Sequence, residues 1–314
     1  MITSYRIESA RLVPSAVDEA TVLICCAPTD AEKASLLTQF DLDPFDMEAI
    51  YDSDEVPRVE NTPDSTFMIW KRPDNVSRSE TVQFEVSSLG IVIRHNKVAL
   101  IIPKGDFSLA GREFKRIDSV WDFVLRVLLH TIHHYQGHLK AIKMMSQDLQ
   151  VKIVKSMENK YLLRMFSLGE SLIYYHNALE TNLAVLTKLH AAADRLKLTT
   201  EQIELFDDVI IENQQASKQA GIYSTVLSGL MDARGTIVNN NMNVLLKNLT
   251  LINVVFLPLN MLASMGGMSE FSMMTKGIDW RISYGLFSLA MILLGWAIWW
   301  WLKKILDRHQ TKKR

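Results

Sequence analysis

The pattern of apolar and polar positions divides the chain into three regimes. Over residues 1–116, strand-length runs rich in Val, Ile and Phe alternate with turn residues, at 21–27, 66–71, 81–86, 89–94 and 97–103. His95-Asn96 supplies a hairpin turn between the last two, and residues 31–39 read as a short helix. From Asp118, placed as an N-cap, the period becomes helical. Trp121, Val124, Leu125, Leu128, Leu129, Ile132 and Tyr135 form a stripe over four turns. Helix is expected to about residue 156, again from about 159, and to break near Leu198, where Thr199 and Gln202 have capping-box spacing. Residues 200–257 contain no proline, so one uninterrupted helix can run into the third regime, which is apolar.

That regime begins with 22 residues free of formal charge, 248–269, enough to cross a bilayer as a helix. Asn243, Leu246, Thr250, Asn253, Leu257, Asn260, Ser264 and Gly267 recur at alternating spacings of three and four, a heptad seam. Here the seam is largely polar and its flanks are Leu, Ile, Val, Phe and Met. In hydrocarbon, such a stripe marks a bundle interior or a water-filled path, or glues helices together. One copy cannot enclose a path, so several copies are implied. Pro258 lies inside this span, where a kink is tolerated if neighbours or water satisfy the freed carbonyl.

A second span follows at 282–302, with Trp280 and Tyr284 near its start and Trp296, Trp299, Trp300 and Trp301 near its end, as interfacial aromatics are placed. The tail 303–314 carries six basic residues and one acid, which assigns it to the cytoplasm by the positive-inside rule. Two spans return the chain to its starting side, so both termini are expected to be cytoplasmic. The expected order is a cytosolic α/β domain (1–116), a helical hairpin (117–198), a stalk helix (199–248), a pore-lining span (249–269), an external loop (270–281), a second span (282–302) and a basic tail (303–314), an α+β chain.

Composition narrows the function. A net charge of −1 over 314 residues excludes a nucleic-acid surface. Adjacent Cys25 and Cys26 are a poor disulfide pair and fit a reducing cytosol. The acidic stretch 41–60, with Arg58 its single base, reads as a solvated face. No P-loop, G-x-S-x-G or H-E-x-x-H motif occurs, so neither an enzyme nor ATP-driven transport is expected.

The stretch 208–268 resembles the CorA family of divalent-cation transporters. Ser228-Gly229-Leu230-Met231-Asp232, Asn239-Asn240, Asn243, Lys247, Leu249-Thr250, Pro258-Leu259 and Gly267-Met268 are similar to its stalk and first membrane helix, and 87–103 to its paired cytosolic strands. The resemblance implies a homopentamer in the inner (plasma) membrane with lipid around it. It also implies a pore lined by Asn243, Leu246, Thr250, Asn253, Leu257, Asn260 and Ser264 and entered at Gly267, Met268 and Ser269. The family's Gly-Met-Asn signature stands here as Gly267-Met268-Ser269, and the serine hydroxyl reaches less far into the opening than an amide. The cargo or regulatory ion expected from the resemblance is Mg²⁺, Zn²⁺, Co²⁺ or Ni²⁺, with no other cofactor expected.

Asp208 matches a family position where an interface acid binds a regulatory cation, and Glu212 lies one turn on. An ion pair would explain both acids equally well. His130, His134 and His138 recur every four residues, and imidazoles so spaced can share a zinc ion; a polar seam between helices is the plainer explanation. Passive transport of divalent cations is the leading expectation. The alternatives are a non-conducting membrane scaffold or sensor derived from such a transporter, and a zinc enzyme using the histidine helix.

Overall fold

The computed structural model describes residues 2–74, 84–155 and 159–311. It divides into two compact units, Met1–Met231 and Asp232–Arg314.

The first unit is built on a seven-stranded sheet. In chain order the strands are β1 (Ile2–Glu8), β2 (Arg11–Pro14), β3 (Val22–Cys26), β4 (Arg58–Asn61), β5 (Ser65–Pro73), β6 (Val86–Arg94) and β7 (Lys97–Ile102). Their spatial order is β2-β1-β3-β7-β6-β5-β4. Only β3 and β7 run parallel among the paired strands. The β6–β7 turn is His95-Asn96, both residues at positive φ (47° and 60°), as a primed two-residue turn requires. Residues 81–83 of the strand expected at 81–86 lie outside the described residues; Val86 opens β6.

The central strands are apolar at nearly every position because both sheet faces are covered. Alternate residues Val22, Ile24, Trp70, Ile91, Leu100 and Ile102 face a core shared with α3 (Val120–Lys155) and α4 (Asn159–His190). The intervening Leu23, Phe67, Ile69, Val92 and Ile101 face α1 (Asp30–Phe40) and α2 (Pro44–Tyr51). Gly90 faces the second layer. A Cβ there would sit 2.3 Å from Ile50 Cδ1, so the strand approaches α2 this closely only without a side chain. Trp70, fully buried, donates from Nε1 to Thr131 Oγ1 (2.8 Å), fixing the sheet on α3.

Helix boundaries follow their caps. The N-cap of α3 is Ser119 rather than Asp118. Ser119 Oγ accepts from the Asp122 amide (3.1 Å), while Asp118 instead donates its own amide to Asp122 Oδ2 (3.0 Å). The Thr199–Gln202 box is present in both directions (2.9 and 3.3 Å) and starts α5 (Thr200–Gly266), 67 residues without a break. That helix ends three residues before the expected limit of 269, at the Gly266-Gly267 pair. The stretch expected as an external loop holds a short helix, α6 (Ser269–Met274). The last helix, α7 (Trp280–Thr311), runs from before residue 282 through most of the basic tail. Acidic residues around Arg58 prove to be its partners. The guanidinium bonds Asp46 (3.0 Å), Glu60 (2.9 Å) and Glu55.

Candidate ion path and regulatory positions

In the second unit, α5 from residue 232 onward meets α7, and two helices are long and apolar enough to cross a membrane, α5 and Trp280–Leu302 of α7. Along residues 249–266 of α5 the half-buried positions are Leu251, Val255, Leu259, Leu262 and Gly266. They form one stripe, and α7 answers with half-buried Ser283, Phe287, Met291, Gly295, Ile298 and Leu302. Glycines permit the closest approaches. A Cβ on Gly266 would lie 2.5 Å from Phe287 Cζ, and one on Gly295 would lie 3.1 Å from Leu259 Cδ1. Small residues at such crossings let membrane helices pack by van der Waals contact.

The polar seam occupies the other side of α5. Asn243, Leu246, Thr250, Asn253, Leu257, Asn260 and Ser264 are all exposed, and at about 100° per residue their mean direction is about half a turn from the α7 stripe. Intramolecular packing therefore leaves the Asn and Thr positions unused while it consumes apolar ones. Thr250 donates its hydroxyl proton to the Leu246 carbonyl (2.8 Å), so its oxygen is left to act as an acceptor, the role demanded by a cation or by the outward-pointing O–H groups of its water shell. Pro258 removes one helical amide, freeing the Val254 carbonyl. At the end of the seam, the Gly267 amide still donates to Ala263 O (3.1 Å) and the Met268 amide to Met265 O (3.2 Å). Gly267, Met268 and Ser269 are exposed.

The two stalk acids are treated differently. Asp208 is exposed. Glu212 is half-buried and accepts from Gln136 Nε2 on α3. They share a helix face but not a local environment.

His130, His134 and His138 do not converge on one point. His130 lies between the rings of Phe107 (5.6 Å) and Phe114 (5.2 Å). His134 and His138 meet edge to face at 4.4 Å, and His138 Nδ1 is bonded to Tyr175 Oη (2.6 Å). Among the described residues, no three His, Cys, Asp or Glu side chains form a metal cage. Burial, and then the neighbouring His134, lowers the pKa of His138 from 6.5 to about 4. For His134 the shift is also downward, from burial and then the charges of His130 and Arg72. A depressed histidine leaves stability intact above 6.5 and removes it as pH falls toward the folded value, because only the unfolded chain takes up the proton. The thermal midpoint of the full chain is thus expected to drop between about pH 6.5 and 4. His138→Gln should make that slope shallower; an unchanged slope would assign it to other groups.

The sequence offered no sign of Glu113, which lies 17 and 20 positions from the histidines it meets. Its Oε1 is 2.5 Å from His133 Nδ1 and its Oε2 3.6 Å from His130 Nδ1. Burial pushes its carboxyl up, but the His133 hydrogen bond and imidazole charges outweigh this and hold it below the usual range. These groups line a cleft of about 1110 Å³ with Arg72, whose guanidinium donates to the carbonyls of Lys104 (2.6 Å) and Asp106 (3.1 Å).

Comparison with known proteins places this architecture. A family profile described as "CorA-like Mg2+ transporter protein" matches residues 22–304. The chain is 28% identical over 243 residues, 74% of each chain, to the cobalt/magnesium transport protein CorA of Methanocaldococcus jannaschii. It is 24% identical over 253 residues to the protein of the same name from Thermotoga maritima, covering 78% of this chain and 71% of that one. The complete structure of the CorA magnesium transporter from Methanocaldococcus jannaschii superposes with a TM-score of 0.76 at 21% identity, over 95% of both chains. The α/β unit, the long helices and the two C-terminal apolar helices are thus a shared fold, and with the profile spanning nearly all of it, the chain belongs to the CorA-like Mg²⁺ transporter family.

Proposed function

We propose that the protein conducts divalent metal cations passively across the inner (plasma) membrane, as a homopentamer with both termini in the cytoplasm. The pore is lined by the face carrying Asn243, Leu246, Thr250, Asn253, Leu257, Asn260 and Ser264, and its mouth is formed by Gly267, Met268 and Ser269. One observation carries this reading: the polar seam is exposed on the side of α5 turned away from α7, where other copies, water or lipid meet it. Polar side chains left toward hydrocarbon are costly, so a bundle that turns them inward is the favoured arrangement.

Neutral oxygen donors suit conduction, because a hydrated divalent ion is held through its water shell without a fixed charge to trap it. Leu246 and Leu257 supply apolar rings able to gate by dewetting. An inside-negative potential drives entry, at about 2.3 kcal/mol per charge per 100 mV. Uptake into liposomes reconstituted with the purified protein, with Mg²⁺, Zn²⁺, Co²⁺ and Ni²⁺ compared, tests the reading. Selective flux supports it. No flux from a verified oligomer would favour the non-conducting scaffold or sensor, for which Ser269 at the signature position is the motivating residue.

Asp208, exposed, is the better of the two acids to sense cytosolic cation. Asp208→Ala is expected to raise several-fold the internal Mg²⁺ concentration that stops uptake, whereas Glu212→Gln should shift it little. Equal shifts would show that the acids act as a pair.

A further inference from the structure

The packing stripe of α7 defines its outward side. Trp296, Trp300 and Lys304 follow one another at a period of four and lie about half a turn from the stripe containing Met291, Gly295 and Ile298. They form a ridge that α5 does not cover, with Trp296 67% and Trp300 54% exposed. Lys304 Nζ sits 4.8 Å from the centroid of the Trp300 ring, a cation–π contact. The sequence places Arg308 next at the same period, within a tail of six basic residues and one acid.

This arrangement has a chemical consequence. Indole rings settle at the boundary between hydrocarbon and headgroups, so Trp296 and Trp300 set the depth of the ridge. Stacking on the Trp300 face orients the ammonium of Lys304 but does not neutralise it, and its N–H groups remain donors. A zwitterionic headgroup brings its own cation to such a site; an anionic phosphodiester does not. We propose that the Trp296–Trp300–Lys304 ridge binds the headgroup of an anionic phospholipid, with the phosphate at Lys304 and the acyl chains along the outward face of α7. The proposal rests on the reading that α7 spans the membrane, but it does not require that the protein conduct.

The test uses the full-length protein in detergent, titrated with phosphatidylglycerol or phosphatidylcholine, with bound lipid counted by native mass spectrometry. Phosphatidylglycerol is expected to bind preferentially. Lys304→Gln should weaken it roughly fivefold, the equivalent of ~1 kcal/mol per basic residue near an anionic surface. Arg281→Gln removes the cation stacked on Trp280 at the other end of α7 (5.5 Å) and should leave the preference intact. Equal binding of the two lipids, an unaffected Lys304→Gln protein, or an equal loss in Arg281→Gln would overturn the proposal. Displacement of the lipid by excess inorganic phosphate would also overturn it, by revealing a free-anion site. Lipid counting reads no ion flux, so its failure is distinct from a failure of conduction.

Discussion

Asn260→Leu is expected to abolish divalent-cation uptake while leaving assembly intact. Asn260 is exposed on the polar seam, and leucine has the same branching and number of side-chain heavy atoms, so the change is chiefly chemical. In a ring of copies it would exchange amide oxygens for isobutyl groups at one level of the pore. An apolar ring empties of water, and a divalent ion cannot pass without its shell, since Mg²⁺ dehydrates reluctantly. The residues that pack α5 on α7 lie on the opposite side, so oligomer size and melting temperature should match the parent protein. The measurement is uptake into liposomes under an inside-negative potential, with the oligomer checked by light scattering. Parental uptake would show that ions take another route.

Asn182→Ala should produce the largest loss of stability. Asn182 is fully buried on α4, yet it serves the sheet. Its Oδ1 accepts from the Lys71 amide (3.0 Å) and its Nδ2 donates to the Lys71 carbonyl (2.8 Å). The reason lies in β4, whose pairing with β5 stops at Ile69. Beyond it, no strand among the described residues lies beside the outer edge of β5, and one side-chain amide takes that place. Truncation would leave a buried N–H and a buried C=O without partners, each at a cost of about 1–3 kcal/mol. A loss of about 3 kcal/mol is expected after some relaxation. Hydrogen exchange gives the local reading: the Lys71 amide, protected in the parent, should exchange early in the variant. Continued protection would mean that water or a shifted β4 had taken over the role.

The strands, helices and seam that could be read from the sequence share one property: their signal is local. The α3 stripe, the His95-Asn96 turn and the Thr199–Gln202 box each declare themselves within a few residues. The seam does so over about six turns of helix, because spacing alone places residues on one face. The outer strands β2 and β4, and β1 beside β2, escaped, since half-covered strands such as Arg58–Asn61 mix charges with apolar residues. The cap of α3 was misplaced by one position because Asp118 and Ser119 are both good caps, and only backbone geometry chooses between them. Asn182 and Glu113 were invisible for a different reason. Their partners are 111 and up to 20 residues away, and nothing in the intervening sequence points to them. The segment expected as an external loop hid α6 because six residues carry too little periodicity to register.

All seven strands lie within the first 102 residues, and the parallel pair β3–β7 closes the sheet between its first and last thirds. On the ribosome, no strand must wait for the apolar segment that starts near residue 249. At about 5–20 residues per second, the interval between those points is roughly 7–30 s. Mixed α/β domains of this kind fold within milliseconds to seconds. The sheet can therefore form before the translocon meets the first membrane helix, and inner strands that would otherwise pair between nascent chains already have both partners within their own sheet. Biogenesis is thereby ordered by the position of the strands along the chain.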